Sequence, residues 1–306
     1  MIPEQYPDLS RVVAMQIACF PDHEAFLARR FSGETDEGFR FADELARWVT
    51  ALSGDELPTI LEDYRWLSEI VLEEEIFFRR NGRYRLSSFA DALEQVYSNA
   101  PYMTRYMNGL LASQLWWRNH TEVMRYFRDA FIGRNPDGFS HLEVGPGHGL
   151  FLAIAAMANV GRCEGWDISD ASLENTRDGL RRLGIPDEKV VLRKIDLFDA
   201  PAEQFQSITF SEVLEHLEQP LDALGALHRL LAPGGRIFIN APVNSPAPDH
   251  LYLFRTPEEV AEVVEKAGFT IEDTMFAPCS GATLERARRL NLTISAAVIG
   301  RKQGRE

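Results

Sequence analysis

The sequence predicts an α/β protein in which a mainly helical N-terminal cap precedes a doubly wound, mostly parallel sheet of seven strands. Three observations carry this. From residue 138 onward, short β-prone runs alternate with helical stretches, the order that covers a parallel sheet with helices on both faces. One of those runs, in His141–Leu152, passes directly into a glycine-rich turn and an apolar helix. Upstream of residue 132 the hydrophobic period is helical instead.

In the N-terminal part, Phe41, Leu45, Trp48, Val49 and Leu52 fall at i, i+4, i+7, i+8 and i+11, one face of a helix. Further helices are expected near residues 8–19, 57–75, 88–98 and 102–131. Between them, Asn81-Gly82 separates two β-prone runs, EIFFRR and RYRLS, which predicts a two-residue hairpin with a type I′ turn. Ile132–Gly138 concentrates Gly133, Asn135, Pro136, Asp137 and Gly138 and reads as a linker. Residues 1–137 are therefore expected to form a helical cap, lid or dimerisation domain with a β-hairpin, and residues 138–306 the cofactor domain. Strands are expected at about 140–145, 162–168, 190–196, 206–212, 235–241, 269–277 and 292–300. Thr256-Pro257-Glu258-Glu259 opens a helix with an N-cap threonine, a first-turn proline and a capping-box glutamate.

Composition narrows the partners. The chain has 306 residues, with 32 Lys and Arg against 46 Asp and Glu and a net charge of −14. Such a surface disfavours nucleic acid and anionic membrane, which need dense positive charge. Cys19, Cys163 and Cys279 lie far apart without a CxxC pair, so neither a disulfide framework nor a thiolate zinc site is expected. The opening MIPEQYPDLS has acids and prolines where a signal peptide has a basic flank and an apolar run. No segment reaches the ~20 apolar residues of a membrane span. A cytoplasmic location is the expectation.

The strongest signal is the turn carrying Gly145, Gly147 and Gly149, preceded by Glu143. Glycines let a ligand approach the main chain closely. A strand, such a turn and a helix form the ligand crevice of a doubly wound sheet. Asp167 follows at the end of the second strand, where a carboxylate accepts ribose hydroxyls. A dinucleotide fingerprint would need its third glycine at position 150, which is Leu150; the spacing here is GxGxG.

That pattern resembles motif I of the class I S-adenosylmethionine (SAM)-dependent methyltransferases, which have a Rossmann-like fold. The resemblance covers about residues 138–302 and implies SAM as cofactor. It also implies that Glu143 faces the cofactor's positive end, that Asp167 holds the ribose, that Asp196-Leu197-Phe198 flank adenine with Asp196 on its exocyclic amine, and that Ile168, Ser211 and Glu212 are further cofactor contacts. Ser211 and Glu212 stand at the end of the fourth strand, in SEVLEH, and the form VLEH recurs in ubiquinone-type O-methyltransferases. FTIEDTMF and LTISAAVIG would be the family's antiparallel pair.

The implied reaction moves the SAM methyl group to a small-molecule oxygen or nitrogen by in-line displacement, for which the protein supplies alignment and exclusion of water. An acceptor proton must also leave, and His216 is the candidate base. Asp249-His250 with Glu215 and His216 is a set of types that bind metals, but its spacing is not diagnostic and no metal is expected. Tyr97, Tyr102, Tyr106, Trp116, Trp117 and His250 are candidate substrate or lid residues, since aromatic faces attract cations. The expected hairpin between helices resembles the winged-helix dimerisation domain of some small-molecule O-methyltransferases, which implies a homodimer through the N-terminal domain. Two other readings stand beside methyl transfer. SAM's own amine can displace methylthioadenosine to close an azetidine ring, as in azetidine-2-carboxylate synthases, or the chain can be a non-catalytic SAM-binding regulator.

Overall fold

The seven strands form where the β-prone runs predict them: β1 (Phe139–Val144), β2 (Val160–Asp167), β3 (Val191–Lys194), β4 (Phe205–Ser211), β5 (Leu231–Val243), β6 (Phe269–Pro278) and β7 (Ile294–Lys302). They make one sheet in the order β3-β2-β1-β4-β5-β7-β6. The first five pair in parallel, and β7 runs antiparallel to β5. Parallel strands covered on both faces read as continuous apolar runs. Ile208, Phe210, Ile237, Phe238 and Ile239 are accordingly buried completely or almost so. From β1 the chain winds outward to β3 and then returns to β4 on the other side of β1. That reversal opens a crevice at the carboxyl ends of β1 and β4, the place where such sheets bind ligands.

The computed structural model describes residues 1–304. They fall into two compact units. The sheet unit comprises Val123–Asn244, Tyr252–Phe276 and the chain from Ile294 on; the helical unit comprises Met1–Glu122, Ser245–Leu251 and Ala277–Thr293. This partition differs from a single division between residues 137 and 138, because two segments of the later sequence belong to the helical unit.

The helical unit holds α1 (Pro7–Cys19), α2 (Glu24–Phe31), α3 (Asp36–Ser53), α4 (Leu57–Asn81), the short α5 (Phe89–Ala92) and α6 (Ala100–Trp116). Thr35 caps α3 by accepting from the Gly38 amide at 3.0 Å, and the face bearing Phe41, Leu45 and Val49 is buried. The single helix expected over 102–131 is broken at Trp117, whose ψ of 114° is extended, and resumes as α7 (Arg118–Tyr126).

The hairpin expected at Asn81-Gly82 is a helix end. Buried Leu57, Ile60, Leu61, Tyr64, Leu67 and Phe78 keep helical spacing through α4 up to its last turn. There Gly82 takes φ 66° and ψ 19° and donates its N–H to the Phe78 carbonyl at 2.7 Å. A glycine at positive φ serves a type I′ turn and a helix terminus equally well. The apolar face that runs on to Phe78 is what distinguishes the two, and Arg79 and Arg80 in the final turn suit the helix dipole. Without a hairpin, the likeness to a winged helix loses its wing.

Among the described residues, no helix is long and apolar enough to cross a membrane. The three cysteines are free.

A Cβ at Gly82 meets nothing within 4 Å, so Gly82→Ala carries only the cost of a left-handed backbone, about 1 kcal/mol. Urea denaturation followed by helical circular dichroism should show that loss, and Gly82→Asn should recover most of it. Equal stability of all three proteins would remove the helix-end assignment.

Candidate functional site

The crevice is built by the turn after β1. The Gly145 amide donates to the Trp166 carbonyl of β2 at 2.8 Å, which ties the turn to the sheet. Gly145, Gly147 and Gly149 have φ of 73°, 52° and 78°, values that side chains with a Cβ rarely adopt. A Cβ at Gly145 would also stand 3.0 Å from Val213 Cγ2, so the end of β4 closes directly onto the turn. Gly149 then caps α8 (Leu150–Met157), and the Thr176 hydroxyl of α9 (Asp170–Arg182) donates to the Gly147 carbonyl at 2.8 Å.

Glu143 ends β1 beneath this turn. It is 3% exposed, and its Oε2 has no hydrogen-bond partner. Burial pushes its carboxyl well above the usual range. A buried carboxylate with an unmet oxygen is costly until a donor or cation reaches it. The residues that share its strand face or pair with that face, His141 and Thr209, are neutral. His141 is driven down to about 3 by burial, its Nδ1 lying 3.0 Å from Ser207 Oγ and its Nε2 3.5 Å from Thr209 Oγ1.

Asp167 ends β2, half-buried. Its two oxygens accept from the Ser169 amide at 2.8 Å and the Ser172 hydroxyl at 2.7 Å. These bonds fix the carboxylate and leave acceptor positions on it, since an ionised carboxylate offers about four. The neighbouring Ile168 is 57% exposed. Asp196 caps the short turn Leu197–Asp199 through the Phe198 amide at 2.9 Å; Leu197 is buried and Phe198 is 53% exposed.

At the end of β4, Glu212 holds φ 54°, one of three non-glycine residues at positive φ among those described. Its amide donates to the Asn240 carbonyl of β5 at 2.9 Å. Its carboxylate accepts from Asn240 Nδ2 at 2.6 Å, and the same amide nitrogen donates to Ser211 Oγ at 3.1 Å. Burial raises the Glu212 carboxyl to about 7, against a lowering by the Asn240 bond. Just beyond, Glu215 is fully buried, and His216 Nε2 lies 3.7 Å from Glu215 Oε1. Asn240 is a polar participant that the sequence reading did not single out. Its only trace there is one amide within the otherwise apolar run Ile237–Val243.

The aromatic candidates belong to the helical unit. Trp116 is fully buried and donates to Gln16 Oε1 at 2.8 Å, so it serves that unit's core. The half-buried Trp117 donates to the Tyr64 hydroxyl at 3.0 Å. Tyr106 and Tyr97 donate to the two oxygens of buried Asp249 at 2.8 and 3.3 Å, and Tyr102 stacks on Tyr106 with ring centres 6.1 Å apart. Burial and Asp249 together raise the Tyr102 phenol to about 12 and push Tyr106 well above its usual range. His250 holds Ser245 through Nδ1 at 2.7 Å from the carbonyl.

The fold and crevice define a Rossmann-like protein of the class I SAM-dependent methyltransferase type. The sequence model described as a methyltransferase domain matches residues 116–274, slightly more than half of the chain, and the chain belongs to that family. Among curated relatives, the ubiquinone biosynthesis O-methyltransferase of Neisseria meningitidis serogroup A is 26% identical over 154 residues, 44% of this chain and 64% of the relative. That of Pseudomonas syringae pv. tomato is 30% identical over 120 residues, 39% of this chain and 50% of the relative. The matches therefore span less than two-thirds of these relatives. Among solved structures, an O-methyltransferase family protein from Burkholderia thailandensis superposes with TM-score 0.55 at 15% identity, covering 83% of this chain and 74% of that one. The pyocyanin biosynthetic protein PhzM gives TM-score 0.50 at 15% identity, covering 79% and 72%. At these identities both show the fold alone.

The residues present fit SAM. Its α-amine is a cation for the unmet Glu143 oxygen, and its ribose diol suits Asp167.

Glu143 also makes the sheet unit's stability pH-sensitive. With its folded pKa raised, the native state keeps a proton that the unfolded chain releases above about pH 4.5, so this group destabilises increasingly as pH rises. Glu143→Gln should therefore raise the melting temperature at pH 7.5 and lose that advantage toward pH 4.5, while weakening SAM about tenfold or more in calorimetry. A variant that melts lower at both pH values and binds SAM normally would contradict the assignment.

Proposed function

We propose that the protein is a SAM-dependent methyltransferase acting on a small-molecule oxygen or nitrogen. The observation that carries this reading is the buried, unmet carboxylate of Glu143 under a glycine turn at the sheet's reversal point. In this reading Glu143 binds the cofactor's amine, Asp167 its ribose, Ile168 and Leu197 present apolar surface to adenine, and Asp196 meets the adenine amine. Gly145, Gly147 and Gly149 admit the cofactor to the main chain, with the backbone of Ser211 and Glu212 opposite. When bound, SAM supplies a methyl carbon already activated by its sulfonium, so the chain need only align the acceptor and exclude water.

His216 is proposed to take the acceptor's proton, with fully buried Glu215 beside it to favour the imidazolium that results. Tyr97, Tyr102 and Tyr106, gathered on Asp249, are proposed with Trp117 and His250 to select the acceptor.

Mass spectrometry of SAM incubated with the protein, with and without a small-molecule cell extract, tests the reading. S-Adenosylhomocysteine formed only with extract is the expected result. Methylthioadenosine formed without extract would replace transfer by cyclisation, and binding of SAM without any turnover would favour a regulator. Asp167→Ala should weaken both SAM and S-adenosylhomocysteine with little change in melting temperature. His216→Ala should keep SAM affinity and lower transfer by about 100-fold or more, removing the acidic limb of the pH–rate profile. An unchanged rate would exclude it as the base.

A further inference from the structure

The end of β4 breaks two local rules at once, and neither breach serves the sheet. Glu212 carries a Cβ at φ 54°, where glycine would be unstrained. Asn240 is 3% exposed, and its carbonyl Oδ1 has no hydrogen-bond partner, although a strand interior readily accepts an apolar residue there. Strain and an unmet polar atom kept side by side mark a working site more often than a packing solution. Their geometry is specific. The Asn240 amide nitrogen forks between Ser211 Oγ at 3.1 Å and Glu212 Oε1 at 2.6 Å, so one amide of β5 engages both residues at the end of β4.

The direction of the Glu212 side chain separates it from the cofactor acids. In the sheet, β4 lies between β1 and β5. Both bonds of Glu212, through its amide and through its carboxylate, go to Asn240 on β5. The carboxylate therefore leans away from the glycine turn of β1, toward the half of the crevice that the cofactor motif does not claim. Glu215 and His216 follow Glu212 in the next turn and are titratable groups at the same end of β4.

We propose that Asn240 is a positioning residue that holds the Glu212 carboxylate toward the acceptor, and that Glu212 selects acceptors presenting a hydroxyl or ammonium donor. A carboxylate fixed in this way accepts hydrogen bonds and attracts cations, and it repels carboxylate and phosphate groups. The acceptor class is therefore neutral or cationic. This rests on the methyltransfer reading, which the experiment separates from it.

Three measurements decide. First, Glu212→Gly should melt no lower than the wild type, since glycine suits the backbone there; a collapse would make Glu212 structural and overturn the proposal. Second, in protein labelled with carboxyl-13C glutamate, the Glu212 resonance, identified by its loss in Glu212→Gln, should shift in its titration midpoint in Asn240→Ala. An unmoved resonance would mean that Asn240 does not position it. Third, methyl transfer from labelled SAM is read against a small-molecule extract split by ion exchange. Label should enter the neutral or cation-exchange-retained fractions. Asn240→Ala and Glu212→Gln should raise the acceptor KM or lower kcat about tenfold or more, with SAM affinity by calorimetry within about threefold of wild type. Label confined to the anion-exchange-retained fraction, or a loss that falls on SAM affinity instead, would overturn the proposal. Absence of transfer in every fraction by the wild type defeats the methyltransfer reading, while the melting and resonance measurements still judge the two residues.

Discussion

A single buried carboxylate sets the terms for the sheet unit. Glu143 sits at the carboxyl end of β1, surrounded by neutral neighbours, with one oxygen unmet. Left alone it works against folding, because desolvation opposes its charge and nothing on its strand face compensates. The sheet must therefore be stable enough to tolerate it. The almost continuous burial of β4, β5 and β7, with Phe205, Ile208, Ile237, Ile239 and Val298 fully enclosed, provides that margin. The glycine turn follows from the same constraint. Positive φ at Gly145, Gly147 and Gly149 folds the backbone back over the end of β1, a conformation that residues with a Cβ rarely adopt.

Much of this was legible in the sequence, because parallel strands between helices leave unmistakable apolar runs and because the glycine spacing distinguishes GxGxG from a dinucleotide turn. Each of the seven strands lies within a few residues of its expected place. What was not legible has a common cause: short signals that serve two geometries. Asn-Gly fits a hairpin and a helix end alike, and only the extent of the apolar face in α4, which runs on to Phe78, decides between them. Glu24–Phe31 was overlooked as a helix because eight residues give barely two turns of periodicity. Trp116 and Trp117 are adjacent aromatics in sequence, yet the first is sealed against Gln16 while the second is half-buried, a difference set by the break at Trp117 itself.

The division of the chain also escapes a linear reading. Ser245–Leu251 and Ala277–Thr293 arise after β5 and around the end of β6, within sequence that belongs by pattern to the sheet, but they join the helical unit. Among the bonds that join them to it, all involving polar side chains and so without a signature in hydrophobic period, the Tyr84 hydroxyl accepts the Ser245 amide at 3.0 Å, the Ser280 hydroxyl accepts the Arg118 amide at 2.8 Å, and Tyr97 and Tyr106 donate to the Asp249 carboxylate. A helical cap held in this way is built partly from loops of the catalytic sequence, so substitutions in SPAPDHL act on the cap's packing as well as on any chemistry of Asp249 and His250.

The two acids at the ends of β1 and β4, Glu143 buried and Glu212 half-buried, then differ by strand order. Glu143 belongs to β1, beside the glycine turn, and its Oε2 has no hydrogen-bond partner among the described residues; in the proposed reading that partner comes with the cofactor. Glu212 belongs to β4, and its carboxylate is already engaged by Asn240 of β5. An acid that waits for a partner and an acid held by one have different uses. The first gains most from binding a permanent cation, because the ligand removes a cost the apoprotein carries. The second cannot gain as much from a cation, because its hydrogen bond already offsets part of its desolvation; what it offers is a fixed direction. In the proposed reading methyl transfer uses both, a charge that draws the cofactor in and a direction that orients the acceptor. The net charge of −14 says only that the chain is acidic; in the proposed reading the chemistry depends on where these two acids stand in the strand order, and on Glu212 being held by β5 while Glu143 is not.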